Sequence, residues 1–89
     1  MIIIEDYFAE WCGPCKWLHK ILDEIQETNS DIEIKYIDID DEENRELVNS
    51  LKIRNIPFVR FLKDDEVIHT FIGIKNKIDI EKLIDSFNE

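Results

Sequence analysis

The sequence predicts an α/β fold in which a four-stranded mixed sheet carries helices on both faces, in the element order β-α-β-α-β-β-α. Three observations predict it. Short apolar runs alternate with amphipathic segments, the first β-α-β unit implies a parallel strand pair, and an acidic turn joins the last two strands as a hairpin. With 89 residues, 44% of them hydrophobic, the chain is expected to form a single domain over residues 1–89.

The first half of the chain contains a strand, a helix and a second strand. Residues Ile2–Phe8 are rich in β-formers and mostly apolar, as a buried strand requires. A helix follows, with Pro14 in its first turn and its end at residues 28–30. Its apolar residues recur at i, i+3, i+4 and i+7, namely Leu18, Ile21, Leu22 and Ile25. The alternation of Ile32–Ile39 predicts the second strand.

The second half contains a short helix, a hairpin and a last helix. Asp40 is the predicted N-cap of the short helix, with Glu43 three residues later. Phe58–Leu62 and Val67–Ile72 are the predicted hairpin strands, and residues 63–66 form the turn between them. The last helix repeats the helical apolar spacing, with Ile80, Leu83, Ile84 and Phe87.

The charge of the chain narrows the classes of partner. Its 21 acidic and 11 basic residues give a net charge of -10, which repels phosphate backbones and anionic lipids. Nucleic acid and membrane surfaces are therefore not expected partners. The segment from Met1 to Asp6 has no basic region and too short an apolar run for a signal peptide, so we expect a cytoplasmic protein. Cytosolic thiols are kept reduced, so two neighbouring cysteines are interpreted as reactive or metal-binding.

Glycine and proline are scarce and concentrated. The chain has two of each, and none marks an ordinary turn. Gly13 and Pro14 lie between the cysteines, Pro57 begins a predicted strand, and Gly73 follows the hairpin. Special backbone geometry is thus expected at these three places.

The pair Cys12 and Cys15 lies between a predicted strand and a predicted helix. Cys12 is therefore placed at a helix N-terminus, where free N–H groups and the helix dipole favour a thiolate. Cys15, about one turn further into the helix, is expected to be better shielded. This arrangement predicts two-step disulfide exchange, in which Cys12 is the nucleophile and Cys15 resolves the mixed disulfide.

Three segments resemble the thioredoxin family. Residues 6–16, with Trp-Cys-Gly-Pro-Cys at their centre, are similar to its active-site segment; residues 53–57 resemble the segment carrying its cis-proline; residues 67–73 resemble its last hairpin strand and the following glycine. The resemblance covers essentially the whole chain. It implies a minimal thioredoxin fold, a cis peptide before Pro57, and an apolar substrate-binding patch around Cys12 made of Trp11, Gly13, Pro14, Ile56, Pro57, Ile72, Gly73 and Ile74.

The resemblance also implies an activity. It predicts a monomeric protein-disulfide reductase without a prosthetic cofactor, which acts on disulfide-containing proteins and receives electrons from a thioredoxin reductase or an equivalent partner. Asp6 resembles the family's buried aspartate, whose raised pKa suits it to take the proton of Cys15. Where the family commonly has a lysine near that aspartate, this chain has Tyr36, so Asp6 is expected to be neutral more often near pH 7.

Some residues leave alternatives open. Arg60 interrupts a strand that should be central, and it either reaches solvent or pairs with a carboxylate. His19 could join Cys12 and Cys15 in a zinc site, although a solvated histidine is favoured because a fourth ligand is missing. Two other functions compete with reduction: a disulfide oxidase or isomerase, and a binding module that does not need its cysteines.

Overall fold

Four strands and three helices make up the computed structural model, which describes residues 1–88. The elements, in chain order, are β1 (Ile2–Phe8), α1 (Gly13–Thr28), β2 (Ile32–Asp38), a 3-10 turn (Glu42–Asn44), α2 (Arg45–Leu51), β3 (Phe58–Lys63), β4 (Glu66–Ile72) and α3 (Lys77–Phe87). The predicted element order is confirmed, and the strand bounds differ by one residue at most.

The sheet has the strand order β2-β1-β3-β4. Strand β1 is parallel to β2, with Ile2 opposite Ile32, and antiparallel to β3, with Ile2 opposite Lys63. Strands β3 and β4 form the predicted hairpin. The first strand of the chain is therefore central, and its carboxyl end leads directly to the cysteine pair.

The core lies between the sheet and helices α1 and α3. The alternating residues Ile2 and Ile4 of β1 turn one face of the sheet to this core. The same buried cluster contains the predicted apolar stripe of α1 and two residues of α3, Ile80 and Ile84. Helix α2 contributes no buried residue to this cluster. The position of α1 above the sheet is therefore set by its packing against β1, β3 and α3.

The predicted N-cap of the short helix at Asp40 is wrong, because the N-cap of α2 is Asn44, whose side chain makes no capping hydrogen bond. The Asp41 carboxylate caps the 3-10 turn and accepts the Glu43 N–H at 3.0 Å. The backbone N–H of Asp40 instead donates to the Asp38 side chain at 2.9 Å. In this acidic run several side chains are able to cap, and the path of the chain after β2 selects among them.

Special backbone geometry is confirmed at two of the three predicted places, because Gly13 and Pro14 simply begin α1. The Ile56–Pro57 peptide bond is cis. Gly73 has a φ of 90°, and its N–H donates to the Pro57 carbonyl at 2.8 Å. Segments 56–57 and 72–74 are therefore held side by side at one end of the β3–β4 hairpin.

Candidate active site

The two cysteines lie where β1 gives way to α1. They are joined by a disulfide, with their Cα atoms 5.3 Å apart. Cys12 is the N-cap of α1, and its sulfur accepts the backbone N–H of Cys15 at 3.2 Å. Cys12 is 5% exposed and Cys15 is 0% exposed, so only Cys12 presents surface to a partner.

This geometry favours a negative charge on the Cys12 sulfur. The N–H groups of the first helical turn have no partner within the helix, and the helix dipole adds positive potential at the same end. A hydrogen bond to the charged form of a group favours that form, and the Cys15 N–H is already directed at the Cys12 sulfur. The arrangement therefore supports a thiolate at Cys12 once the disulfide is reduced.

Apolar residues pack against the cysteine pair. Ile56 packs against the buried cluster formed by Ala9, Cys12 and Cys15. The hydrogen bond between Gly73 and Pro57 brings the end of β4 next to this segment. Of the predicted patch residues, Pro57 is buried, Ile56 and Gly73 are half-buried, and the exposed ones are Trp11, Gly13, Pro14, Ile72 and Ile74.

Trp11 is 71% exposed, yet its indole is not free to turn. The indole N–H donates to the Asp40 carboxylate at 2.7 Å. A hydrogen bond to a charged acceptor is stronger than a neutral one, so it holds the ring beside Cys12 despite its exposure. Asp40, assigned from the sequence to a helix cap, is in this position an orienting residue for Trp11.

Asp6 is fully buried, as the resemblance implied. Its carboxyl group is 0% exposed, and burial raises the pKa of Asp6 from 3.8 to about 7. Its cross-strand neighbours are Tyr36 on β2 and Val59 on β3. A carboxyl group with a pKa near 7 can both take up and release a proton at neutral pH.

His19 is the nearest titratable group to Asp6, and the expectation that it is solvated was wrong. Its Nε2 atom lies 3.0 Å from Oδ2 of Asp6, and its side chain is only 25% exposed. The ring N–H is not aligned well enough with the carboxylate for a hydrogen bond. Burial lowers the pKa of His19, while the Asp23 carboxylate acts in the opposite direction.

One signal in the sequence pointed to this contact. His19 follows Cys15 by four residues, so both side chains lie on the same row of α1. Since Cys15 faces the sheet, His19 is carried toward the same strand one turn later. The sequence did not show that Asp6 would lie beneath that row.

Tyr36 pairs with Asp6 in the register but does not bond to it. Its hydroxyl donates to the Asp23 carboxylate and lies 3.4 Å from the His19 carbonyl oxygen. Burial and the bond to Asp23 raise the pKa of Tyr36, so it stays neutral. The neutral hydroxyl of Tyr36 is thus engaged by Asp23 and makes no hydrogen bond to Asp6.

Arg60 pairs with a carboxylate, one of the two alternatives that the sequence left open. Its Nε lies 2.8 Å from Oε1 of Glu5, the residue opposite it on β1. The Tyr7 hydroxyl donates to the same oxygen at 2.9 Å. These polar groups satisfy one another within the sheet, so Arg60 is a structural residue.

Residues 1–88 have neither a metal-binding cluster nor a membrane-spanning helix. No group of three or more histidine, cysteine, aspartate or glutamate side chains in that span is arranged to hold a metal ion. Helix α1, the longest there with 16 residues, is amphipathic, and no helix of the span has the length and apolarity to cross a bilayer.

Comparisons with known proteins agree with this geometry. The thioredoxin family model matches residues 1–86. Thioredoxin from Bacillus subtilis is 35% identical over 83 residues, which cover 93% of this chain and 79% of the relative. Thioredoxin from Rickettsia typhi is 36% identical over 87 residues, which cover 98% of this chain and 79% of the relative.

Solved structures show the same fold. A mutant thioredoxin from Halobacterium salinarum superimposes with a TM-score of 0.87 at 28% identity, covering 99% of this chain and 75% of that one. An oxidised thioredoxin from Arabidopsis thaliana gives a TM-score of 0.86 at 18% identity, covering 100% and 76%. The family match, the relatives and the paired cysteines together make this protein a thiol–disulfide oxidoreductase, and the chain belongs to the thioredoxin family.

Proposed function

We propose that this protein works in the reducing direction, with Cys12 as nucleophile, Cys15 as resolving thiol and Asp6 as the acid–base group. The observation that carries the proposal is the Cys12 sulfur at the N-cap of α1, where it accepts the Cys15 N–H and belongs to the more exposed cysteine of the pair. The Gly-Pro pair between the cysteines, which resembles that of the reducing members of the family, supports the direction.

The reaction has two exchange steps. The Cys12 thiolate attacks one sulfur of the partner's disulfide, and the other sulfur leaves as a thiolate that takes a proton from solvent. Asp6 then accepts the Cys15 proton, and the Cys15 sulfur attacks Cys12. The bond between Cys12 and the partner breaks, and the Cys12–Cys15 disulfide forms. Two electrons have passed to the partner, which is released as a dithiol.

The substrate would lie on the patch around Cys12. Its exposed residues offer apolar contact, Ile56 packs against the cluster that contains Cys12, and the hydrogen bond from Gly73 to Pro57 joins the two segments. An apolar patch of this kind favours the binding of an extended segment of the partner protein. The assigned substrate-binding residues are Trp11, Gly13, Pro14, Ile56, Pro57, Ile72, Gly73 and Ile74.

The proposal extends to partners and setting. We assign disulfide-containing proteins as substrates and a thioredoxin reductase or equivalent as electron donor, with no prosthetic cofactor besides the dithiol. A single-domain monomer in the cytoplasm fits the reducing direction, since thiols are kept reduced there. The charge of -10 argues against nucleic acid and membrane partners.

The deciding measurement is the reduction potential of the dithiol. The protein is equilibrated with glutathione buffers of defined ratio, and the reduced fraction of Cys12 and Cys15 is read by thiol alkylation and mass spectrometry. Thioredoxins have a potential of about -270 mV, a known property of the class, and we expect a value near it. A potential higher by about 100 mV or more would assign the protein to the oxidases or isomerases instead.

The roles of the two cysteines are tested separately. Cys12→Ser is expected to lose all reductase activity, and activity above background would contradict the assignment of the nucleophile. Cys15→Ser is expected to accumulate partners linked to Cys12 by mixed disulfides. Activity retained by the double serine variant would favour a binding module.

A further inference from the structure

The environment of Asp6 contains one group that the reaction described above does not use. Oδ1 and Oδ2 of Asp6 and Nε2 of His19 are buried atoms without a hydrogen-bond partner among the described residues. Oδ2 and Nε2 nevertheless lie 3.0 Å apart. Buried polar atoms are almost always paired, and at this distance Asp6 and His19 are partners by charge, since the ring is not aligned for a hydrogen bond.

The His19 ring is held in this place by two aromatic neighbours. The ring of Phe8 meets it edge-on at 4.6 Å, and the ring of Tyr36 lies 4.4 Å away, tilted by 52°. Side-chain packing on both sides fixes the imidazole without contributing a charge. The remaining ionised group near it is Asp23, one turn further along α1, and its carboxylate accepts the Tyr36 hydroxyl.

From this geometry we propose that His19 is a positioning residue that keeps Asp6 able to accept the proton of Cys15. The proposal rests on the proposed reducing mechanism, in which Asp6 is the acid–base group. Its basis is the 3.0 Å contact between His19 and Asp6, together with the position of His19 one helical turn after Cys15.

The physical reason is charge compensation in a buried place. An isolated carboxylate at the position of Asp6 has a high desolvation cost, because no other cation of the described residues contacts it. When Asp6 passes its proton to Nε2, the carboxylate is formed beside an imidazolium and no net charge is buried. The Asp6 carboxylate then takes the Cys15 proton, so the pair holds two protons until the imidazolium releases one. The quarter of the His19 side chain that is exposed gives the imidazolium a route to release its own proton to solvent.

The groups around the pair come from four elements. Strand β1 supplies Asp6 itself, α1 supplies Cys15 and Asp23, and β2 supplies the neutral hydroxyl of Tyr36. The neighbour of Asp6 on β3, Val59, is apolar. Among the described residues, His19 is therefore the basic side chain that pairs with Asp6.

The experiment follows Asp6 directly and through turnover. Carbon-13 NMR of labelled aspartate gives the titration of the Asp6 carboxyl group, and single-turnover reduction of a disulfide protein gives the pH dependence of the rate. Burial lowers the pKa of His19, so the opposite charge arises when Nε2 holds the proton given up by Asp6; in that state it shifts the pKa of Asp6 by about one to three units. His19→Gln is therefore expected to move the Asp6 titration to higher pH by at least about one unit and to slow reduction about tenfold at pH 7, with recovery near pH 9.

Three comparisons separate this role from a structural one. His69→Gln, which removes the other imidazole of the chain, should leave the Asp6 titration in place. In an Asp6→Asn background, His19→Gln should change the rate less than twofold. His19→Lys, which restores a cation, should return the titration toward that of the unaltered protein.

The outcomes distinguish this inference from the proposed function. An Asp6 titration unaffected by His19→Gln, or an equal loss of rate in the Asp6→Asn background, would overturn the role of His19. The NMR titration of Asp6 tests the role of His19 even if the protein reduces no disulfide, because it does not depend on turnover. If His19→Gln fails to fold, the titration of the His19 imidazole is measured by NMR in Asp6→Asn instead. A His19 titration that is the same as in the unaltered protein would show that the two groups are not coupled.

Discussion

At the scale of single residues, Gly73 is the position where the backbone conformation most restricts which amino acid can be accommodated. Its φ of 90° lies in the region that residues with a Cβ rarely adopt, although a Cβ built there would meet no atom within 4 Å. Gly73→Ala should therefore lower the free energy of unfolding by about 1–2 kcal/mol through backbone strain alone. Urea denaturation measures the change.

Gly13 provides the matched control for that substitution. A Cβ at Gly13 also meets open space, but its φ is not positive, and it lies in the first turn of α1. Gly13→Ala should leave the free energy of unfolding unchanged or raise it by up to about 1 kcal/mol. Equal losses at both glycines would show that filling the space, and not φ, is the cause.

The buried carboxyl group of Asp6 predicts a pH dependence of stability. Its pKa rises from 3.8 to about 7 on folding, so the folded state holds the proton more tightly. The stability that this proton contributes is complete below about pH 3.8 and is lost as the pH rises toward about 7. Asp6→Asn should thus stabilise the protein above pH 7, by up to roughly 4 kcal/mol, and the gain should shrink toward pH 4.

Unfolding curves of Asp6→Asn between pH 4 and pH 8 test this dependence. Asp31→Asn, at an exposed position, is the control and should show no such growth of the difference with pH. A gain for Asp6→Asn that is constant over this range would contradict the burial of an ionisable carboxyl group.

At the scale of elements, the turn of the β3–β4 hairpin is built from residues that fit it poorly. Asp64 and Asp65 both have positive φ, 53° and 65°, and carry adjacent negative charges. Asparagine and glycine tolerate this two-residue geometry better. Replacing the pair by Asn-Gly should raise the free energy of unfolding by about 0.5–1 kcal/mol.

The dithiol offers a check on that change. The turn is separated from Cys12 by the length of the hairpin, so the reduction potential should stay the same while the denaturation midpoint rises. A lower midpoint would mean that the two aspartates make contacts in the folded state that outweigh their backbone cost.

At the scale of the whole molecule, the net charge of -10 predicts a preference among substrates. A negative surface attracts positively charged partners over distances that salt screens, with a Debye length of about 10 Å at 0.1 M. A basic disulfide peptide should be reduced several-fold faster than an acidic peptide of equal length at low salt. The two rates should converge as salt is raised, and parallel salt dependences would argue against steering.

The sequence predicted the parts of this molecule that depend on periodicity or on short motifs. The apolar spacing of α1, the dithiol at its N-terminus and the glycine at residue 73 follow from local constraints, and the resemblance supplied the cis bond before Pro57. Contacts between distant segments were not predictable in the same way. The pairing of Trp11 with Asp40, 29 residues away, depends on how the loop after β2 runs.

The partner of Asp6 shows the same limit. Burial of the carboxyl group came from the family resemblance, while its contact with His19 needs the register of α1 above β1, which side-chain packing sets. The placement of His19 on the row of Cys15 was readable from the sequence. The sequence did not show which residue of the sheet would lie opposite that row.

The central position of β1 also has a consequence for synthesis on the ribosome. This strand is translated first, but its neighbours begin at Ile32 and Phe58, and the pairing that completes it reaches Lys63. At about 5–20 residues per second, the chain spends several seconds with an apolar strand paired on one side at most. The β1-α1-β2 unit is thus the first part of the nascent chain that can cover β1. A chaperone that binds the exposed edge of β1 would act before the hairpin emerges.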